Sequence, residues 1–234
     1  MIRKAILISD NGGIDNDIPA TKEDVKNYRD FLMSDIGGAW TNSEIEPYRN
    51  PDYTTIKKLS NYEYDYTITM VSSHGGVKKE KGILYLYLNN RWYNCVHFKN
   101  KSKRQLMIFD CCRTYLEEEQ YDYKQFSQES VYTNFATISH RFKYNSYIET
   151  CGEAIIILYS CKVNQASRLD EELGSFFINS LISAAEDKIK TKDIVTVKEA
   201  LELSKEYIKQ YPTNQIPEIS QIKTNRYFPI AVKI

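Results

Sequence analysis

The sequence predicts an α/β fold with a mostly parallel central sheet, helices on both faces and a small hairpin insertion. Short buried apolar runs alternate along the chain with segments of helical period. Strands that alternate with helices form parallel sheets, because each helix carries the chain back across the sheet. Two β-rich runs are separated by only two turn residues, which is typical of a hairpin.

The first elements are a strand, a loop and a helix. Residues 4–9 form an apolar run that ends at an Asp-Asn-Gly-Gly turn sequence. Thr21 and Asp24 have the spacing of a capping box, and apolar residues of helical period follow them: Val25, Tyr28, Phe31 and Leu32. We expect a second helix after Asn50, with Pro51 at its first position.

The middle of the chain supplies two buried strands with a hairpin between them. Residues 66–72 predict one strand, which stops at Ser-Ser-His-Gly-Gly, and residues 105–110 predict another, which stops at Cys-Cys-Arg. The predicted hairpin has arms at 83–88 and 91–93, and Asn89-Asn90 form its turn.

The last third of the chain predicts one long loop and then regular structure. Residues 113–153 are rich in Tyr, Glu, Gln, Ser and Lys and have no clean period, so we expect an activation-type loop there. A strand at 154–159 and a helix near 173–182 follow. A second capping box opens a helix at 196–210, and residues 226–234 predict a last strand that Pro229 favours at an edge or terminus.

The composition is that of one soluble domain over residues 1–234. The 31 basic and 31 acidic side chains balance, which argues against a nucleic-acid partner, since phosphate contacts require a basic excess. The longest apolar run, residues 154–159, is far below the roughly twenty residues of a membrane span. The amino-terminal apolar run is too short for a secretory signal. We therefore expect a cytoplasmic protein with no membrane partner.

The five cysteines predict reduced thiols and no metal site. Their number is odd and two are adjacent, which does not suit a disulfide framework. No Cys-x-x-Cys occurs, and no histidine pairs with a cysteine at ligand spacing. We expect no cofactor.

Two predicted strands end at His74 and at Cys112, and the carboxyl ends of parallel strands share one rim of a sheet. A thiolate there can attack an acyl carbon, an imidazole can protonate the leaving amine, and backbone amides can hold the oxyanion. We assign these roles to Cys112, to His74, and to the amides of Gly75 and Cys112. A buried cysteine and a surface turn that carries a histidine would explain the same residues without catalysis.

The residues around these two positions resemble a known family. Residues 71–76, followed by 108–114, are similar to the His and Cys blocks of caspase-like cysteine peptidases. Residues 110–112 read Asp-x-Cys, as in metacaspases and paracaspases, so these are the branches of the family that the chain resembles most. Further similar blocks occur in order along the chain: 4–8, 18–24, 158–177 and 215–230. The resemblance implies a caspase-like (caspase-hemoglobinase) fold.

The family pattern places the nucleophile two residues after an aspartate, which is Cys112 in this chain. Successive residues that leave a strand point to opposite sides, so Cys111 would be a buried wall residue; the reverse assignment remains the alternative. His97 and His140 are expected at the surface. From the nucleophile onward, the sequence Cys-Arg-Thr-Tyr departs from the Cys-His-Ser-Gly of many metacaspases, which leaves the geometry of that loop open.

The resemblance also implies a substrate preference. It places Asp110 in the pocket for the residue before the scissile bond, matches Asp24 to a second acidic position, and adds Ser160 and Gln165 as polar walls. Two carboxylates bind a guanidinium through charge-assisted hydrogen bonds, so we expect cleavage after Arg, then Lys, in protein or peptide substrates. A capping residue at Asp24 and a strand-end hydrogen bond at Asp110 are the structural alternatives.

Control of such a protease is expected to involve the long loop. It contains Lys124, Arg141 and Lys143 as candidate self-cleavage sites. The chain resembles prokaryotic caspase-like effectors, some of which act in antiviral defence or cell death and await a small nucleotide signal or an activating protein. Glu117–Glu119 and Asp122 form an acidic cluster in this loop. Such a cluster is either a solvated surface or a calcium site through which calcium activates the enzyme.

Two other functions fit part of the sequence. A catalytically silent caspase-fold scaffold could bind a partner or a signal, but it would have no chemical reason to keep both His74 and Cys112. An acyl-transfer enzyme or thioesterase on another α/β scaffold is disfavoured, because the chain has no Gly-x-Ser/Cys-x-Gly elbow.

Overall fold

The fold is taken from a computed structural model, which describes residues 1–10, 18–116, 138–222, 224 and 226–234. The strands in this part of the chain are β1 (Arg3–Ser9), β2 (Ile45–Arg49), β3 (Tyr66–Ser72), β4 (His74–Lys78), β5 (Ile83–Leu88), β6 (Arg91–Asn94), β7 (Arg104–Asp110), β8 (Ala154–Tyr159), β9 (Leu169–Asp170), β10 (Gly174–Ser175), β11 (Ile194–Thr196), β12 (Glu218–Ile222) and β13 (Pro229–Val232). The α-helices are α1 (Ala20–Met33), α2 (Tyr53–Leu59), α3 (Ile138–Thr150), α4 (Phe176–Lys188) and α5 (Val197–Ile208).

A six-stranded sheet forms the centre, in the order β12-β8-β7-β3-β1-β2. Its strands pair in parallel except β12, which pairs antiparallel with β8 at one edge. A separate three-stranded sheet contains β4, β5 and β6. The predicted α/β class with a mostly parallel sheet is therefore confirmed.

Alternate residues of the central strands divide the core between two faces of the sheet. On the first face, Leu106 and Ile108 of β7 pack with buried residues of α1, α3, α4 and α5. On the second face, Met107 and Phe109 of β7 pack with α2 and the three-stranded sheet. Burial on both faces explains why β3 is apolar or small and buried at every position.

Several predicted elements have the predicted bounds or nearly so. The structure places β3 at residues 66–72 and β8 at 154–159, and α5 opens with the predicted capping box at Thr196 and Glu199. In the hairpin, Asn89 and Asn90 have φ angles of 49° and 59°. Asparagine tolerates this left-handed conformation, which two-residue hairpin turns require.

The starts of the first two helices differ from the prediction. Helix α1 begins at Ala20 after Pro19, without a side-chain cap, because the Thr21 hydroxyl bonds to the carbonyl oxygens of Asp10 and Ile18. The predicted Thr21 capping box is therefore wrong. Helix α2 begins at Tyr53, and its cap is Asp52, whose carboxylate accepts a hydrogen bond from the backbone. Pro51 precedes the cap and is not the first helical residue.

The predicted loop at 113–153 contains a helix. Residues 138–150 form α3, and Arg141 binds Glu44 through both terminal guanidinium nitrogens. The helical signal in this segment is weak because α3 buries only Tyr144 and Ile148, while Ile138 and Phe142 stay exposed. Lys124 and the acidic residues at 117–119 and 122 lie outside the described residues. Among the described helices, none is both long and apolar enough to cross a membrane.

Candidate active site

The polypeptide brings the segments of His74 and Cys112 side by side. Strands β3 and β7 pair in a register in which Ser72 faces Asp110, an offset of 38 residues. Beyond the strand ends the same offset continues, because Val77 of β4 forms a parallel bridge with Tyr115. His74 and Cys112 have this offset too, so they occupy corresponding positions on adjacent segments.

Gly75 fixes how closely the two segments approach. A Cβ atom on Gly75 would lie 2.7 Å from the Cβ and Sγ atoms of Cys111 and 2.8 Å from the carbonyl oxygen of Cys112. A side chain at this position would therefore collide with the backbone of the cysteine segment. The glycine after His74 is explained by this contact.

The two adjacent cysteines have different environments. Cys111 is 2% exposed and packs in the core on the second face of the sheet, with Phe109 and Val77. Cys112 is half-buried. The predicted opposite orientation of the two residues agrees with this placement, and of the two only Cys112 retains appreciable exposure.

The surroundings of the Cys112 thiol raise its pKa. Its Sγ donates to the carbonyl oxygen of Ser167 at 3.8 Å. Burial raises the pKa of Cys112 above its ordinary value and the nearby Asp110 carboxyl raises it too, whereas the hydrogen bond to Ser167 and the charge of Arg168 lower it. A thiol with a raised pKa is a weak nucleophile at neutral pH.

Asp24 is a buried carboxyl group that connects α1 with two other segments. It accepts hydrogen bonds of 2.6 Å from the Ser72 hydroxyl and of 2.6 Å from the Ser175 backbone amide. Burial, together with the charge of Asp110, raises the pKa of Asp24 to about 8. These contacts replace the capping role that the sequence offered as the alternative.

Asp110 is another buried carboxyl group at this edge of the sheet. Its Oδ1 accepts a 2.8 Å hydrogen bond from the Ser167 hydroxyl. Among the described residues, its Oδ2 has no hydrogen-bond partner. Burial raises the pKa of Asp110, although nearby serine hydroxyls oppose the shift. An acceptor oxygen that is buried without a donor costs free energy, on the order of 1–3 kcal/mol.

Ser167 contacts both Cys112 and Asp110. Its carbonyl oxygen accepts from Cys112 and its hydroxyl donates to Asp110. The exposed fraction of Asp24 is 0% and that of Asp110 is 4%. Both carboxyl groups are therefore shielded from solvent in this structure.

Ser160 contacts the cysteine segment, and Gln165 joins neighbouring loops. The Ser160 hydroxyl is fully buried, accepts from the Cys111 amide and donates to the Cys111 carbonyl oxygen. The Gln165 side chain bonds to the backbones of Lys162, Asn214 and Ile216. Both side chains therefore hold loops in place in this structure, and a direct contact with substrate stays a prediction.

Sequence reasoning missed the serines that hold the carboxyl groups. Ser72 contacts Asp24, Ser167 contacts Asp110, and Gln215 joins Ser167 to the Ser160 carbonyl oxygen. Ser72 lies two residues before His74, just as Asp110 lies two residues before Cys112, and this matching spacing was the available signal. The contact of Ser167 with Gln215 joins residues 48 positions apart, which no local pattern reveals.

The two other histidines do not contribute to this site in any contact that the structure gives. His97 is exposed, and His140 is half-buried on α3. Within the ranges that the structure describes, no group of three His, Cys, Asp or Glu side chains could hold a metal ion.

Comparisons with known proteins agree with this architecture. A family model described as "Caspase domain" matches residues 2–229. Caspase-1 from Spodoptera frugiperda is one of 217 matching solved chains; the two share 13% sequence identity with a TM-score of 0.60, over 93% of this chain and 85% of the insect chain. No curated protein matches the sequence.

Proposed function

The chain belongs to the caspase-domain family of cysteine peptidases, and from this premise we propose that it is an endopeptidase that uses a Cys112–His74 dyad and cleaves after Arg or Lys. The observation that carries the proposal is the close contact of Gly75 with Cys112, which aligns the histidine strand with the cysteine segment.

The proposed chemistry assigns one step to each group. His74 takes the proton of the Cys112 thiol, and the thiolate attacks the carbonyl carbon of the scissile amide. The backbone amides of Gly75 and Cys112 stabilise the oxyanion. His74 then gives the proton to the leaving amine as the C–N bond breaks, and water hydrolyses the remaining thioester.

The paired carboxyl groups support a basic side chain before the scissile bond. Asp24 and Asp110 lie close enough for the charge of Asp110 to raise the pKa of Asp24. A guanidinium between them would supply donors to both and would give Asp110 Oδ2 the partner it lacks among the described residues. An Asp side chain would bring a further carboxyl group into the same pocket, where burial already opposes ionisation, which is unfavourable.

The contacts of Ser167 support a gated enzyme. The same residue hydrogen-bonds the thiol and one carboxyl group, and both carboxyl groups are buried. We take this arrangement as the latent state, in which substrate is excluded. Activation would move the Ser167 segment, expose the carboxyl groups and lower the pKa of Cys112.

The activating signal is proposed from resemblance alone. A small nucleotide or a partner protein would shift the latent state, and calcium is the second candidate. The proposed role is that of a protease effector in the cytoplasm, in antiviral defence or cell death.

Covalent labelling tests the proposal. An acyloxymethyl ketone with Arg next to the reactive group should modify Cys112 in the native protein, as mapped by peptide mass spectrometry. Cys112→Ala should abolish labelling, and Cys95→Ala, which removes another half-buried thiol, should not. The proposal would be contradicted if Cys112 is labelled under none of three conditions: with nucleotide, with calcium, and with neither. It would also be contradicted if only the Asp analogue labels the protein.

A further inference from the structure

The three-stranded sheet places three side chains in one row. His74 of β4 pairs directly with Tyr87 of β5, and Tyr87 pairs directly with Trp92 of β6. Residues that face each other across antiparallel strands project on the same side of the sheet. The proposed catalytic histidine is therefore the first member of a ladder whose next two members are aromatic.

The ladder lies on the less buried side of this sheet. Leu84, Leu86 and Leu88 alternate with the ladder positions of β5 and are buried in the core. Tyr87 and Trp92 are half-buried, and their ring centroids lie 5.2 Å apart with planes at 57°. The two rings together form one aromatic surface beside His74.

The three-stranded sheet that carries the ladder and the helix that carries Asp24 pack on opposite faces of the central sheet. Helix α1, which carries Asp24, packs on the first face of the central sheet, whereas the three-stranded sheet packs on the second face. A substrate with its basic side chain at the carboxyl groups must cross the edge that carries Cys112. His74, the proposed proton donor to the leaving amine, must lie next to the substrate residues attached to that amine. These substrate residues then continue toward Tyr87.

We infer that Tyr87 and Trp92 form a subsite for the leaving side of the substrate. The subsite takes an aromatic or large apolar side chain at one of the first two positions after the scissile bond. This inference rests on the proposed peptidase activity and adds a second specificity element to it. An aromatic side chain packed on two rings supports about a tenfold preference over glycine.

Internally quenched peptides test the subsite in the full-length protein. The peptides share Arg before the scissile bond and differ only in Phe or Gly at the first or second position after it. The wild-type kcat/KM ratio of Phe to Gly should be about ten at one position. Trp92→Ala and Tyr87→Ala should bring that ratio close to one, and Trp92→Phe should retain most of it.

Tyr85 provides the matched control. It lies on the same strand and the same side of the sheet, two residues from Tyr87, and Lys78 Nζ lies 5.1 Å from its ring. Tyr85→Ala should keep the wild-type ratio. The subsite alone would be overturned if the wild type cleaves Phe and Gly peptides equally well. It would also be overturned if Tyr85→Ala lowers the Phe-to-Gly ratio as much as Tyr87→Ala and Trp92→Ala do. Absence of any cleavage after Arg would overturn the proposed function, and the subsite with it.

Discussion

Gly75 lies against Cys112 so closely that a methyl group on it would stand 2.8 Å from the Cys112 carbonyl oxygen. The contact joins a residue of β4 to a residue just beyond β7, although β4 belongs to a separate sheet. It aligns the proposed acid–base residue with the proposed nucleophile. The catalytic account depends on this approach more than on any other contact.

Replacement of Gly75 by alanine should therefore separate the two segments. The added methyl group meets backbone and a buried thiol, so we expect a loss of about 1–3 kcal/mol in the free energy of unfolding. We also expect a fall of roughly tenfold or more in kcat/KM, because small displacements of reacting groups slow catalysis strongly. Urea denaturation and steady-state kinetics measure the two effects.

Gly82→Ala is the control for this substitution. Gly82 has a φ of +62°, and no atom lies within 4 Å of the place that an added methyl group would take, so only backbone strain changes. About 1 kcal/mol of stability should be lost without an effect on kcat/KM. Equal kinetic effects in both variants would show that the Gly75 contact has no special role.

The raised pKa of Asp24 predicts how stability depends on pH. The folded carboxyl binds its proton up to about pH 8, whereas an ordinary aspartate releases it near 3.8. The stabilising contribution is fully present below about 3.8 and is lost as the pH rises through about 8. Asp24→Asn keeps a side chain of the same shape and removes the titration. The Tm of this variant relative to that of the wild type should therefore rise by at least about 4 °C between pH 3.8 and pH 8.

Scanning fluorimetry across this pH range measures the difference. Asp30→Asn replaces an exposed carboxylate of the same helix and should follow the wild-type curve. A constant difference between Asp24→Asn and wild type at every pH would contradict the buried, protonated Asp24.

Asp110→Asn tests the origin of the proposed substrate preference. The substitution removes one negative charge from the pocket while keeping its volume, so kcat/KM for Arg peptides should fall about 10- to 100-fold. Uncharged substrates at the same position should be affected less. An Arg preference equal to that of the wild type would remove the carboxylate explanation.

Ser160→Ala tests whether the hydrogen bonds of Ser160 to Cys111 support the proposed nucleophile, Cys112. The variant loses both hydrogen bonds to Cys111, which should cost about 1–2 kcal/mol of stability and lower kcat more than it raises KM. Ser204 is equally buried and bonds within α5, so Ser204→Ala should lower stability without changing kcat. A KM effect alone in Ser160→Ala would instead favour the predicted contact with substrate.

Local sequence patterns predicted four parallel strands of the central sheet, β1, β3, β7 and β8, and the hairpin of β5 and β6. The continuous apolar runs of β3 and β8 and the turn asparagines of the hairpin are short-range signals, and their positions are confirmed. Helix α3 was missed because little of it is buried, so it has no clear apolar period. Strand β2 was missed because only Ile45 in it is buried.

The long-range side-chain contacts could not be predicted from sequence. Asp24 was expected either to cap α1 or to line a pocket, and its bond to the Ser175 amide spans 151 residues. Arg141 was expected to lie in a cleavable loop, yet its guanidinium pairs with Glu44, 97 residues away. Such pairs form only after the sheet has brought distant segments together.

Digestion of a peptide library by the full-length protein tests the central claim most directly. The wild type, assayed with and without calcium, should cleave after Arg and less often after Lys, while Cys112→Ala and His74→Ala should cleave nothing. Cleavage that persists in Cys112→Ala, or wild-type cleavage after Asp, would contradict the Cys112–His74 mechanism and the carboxyl pocket.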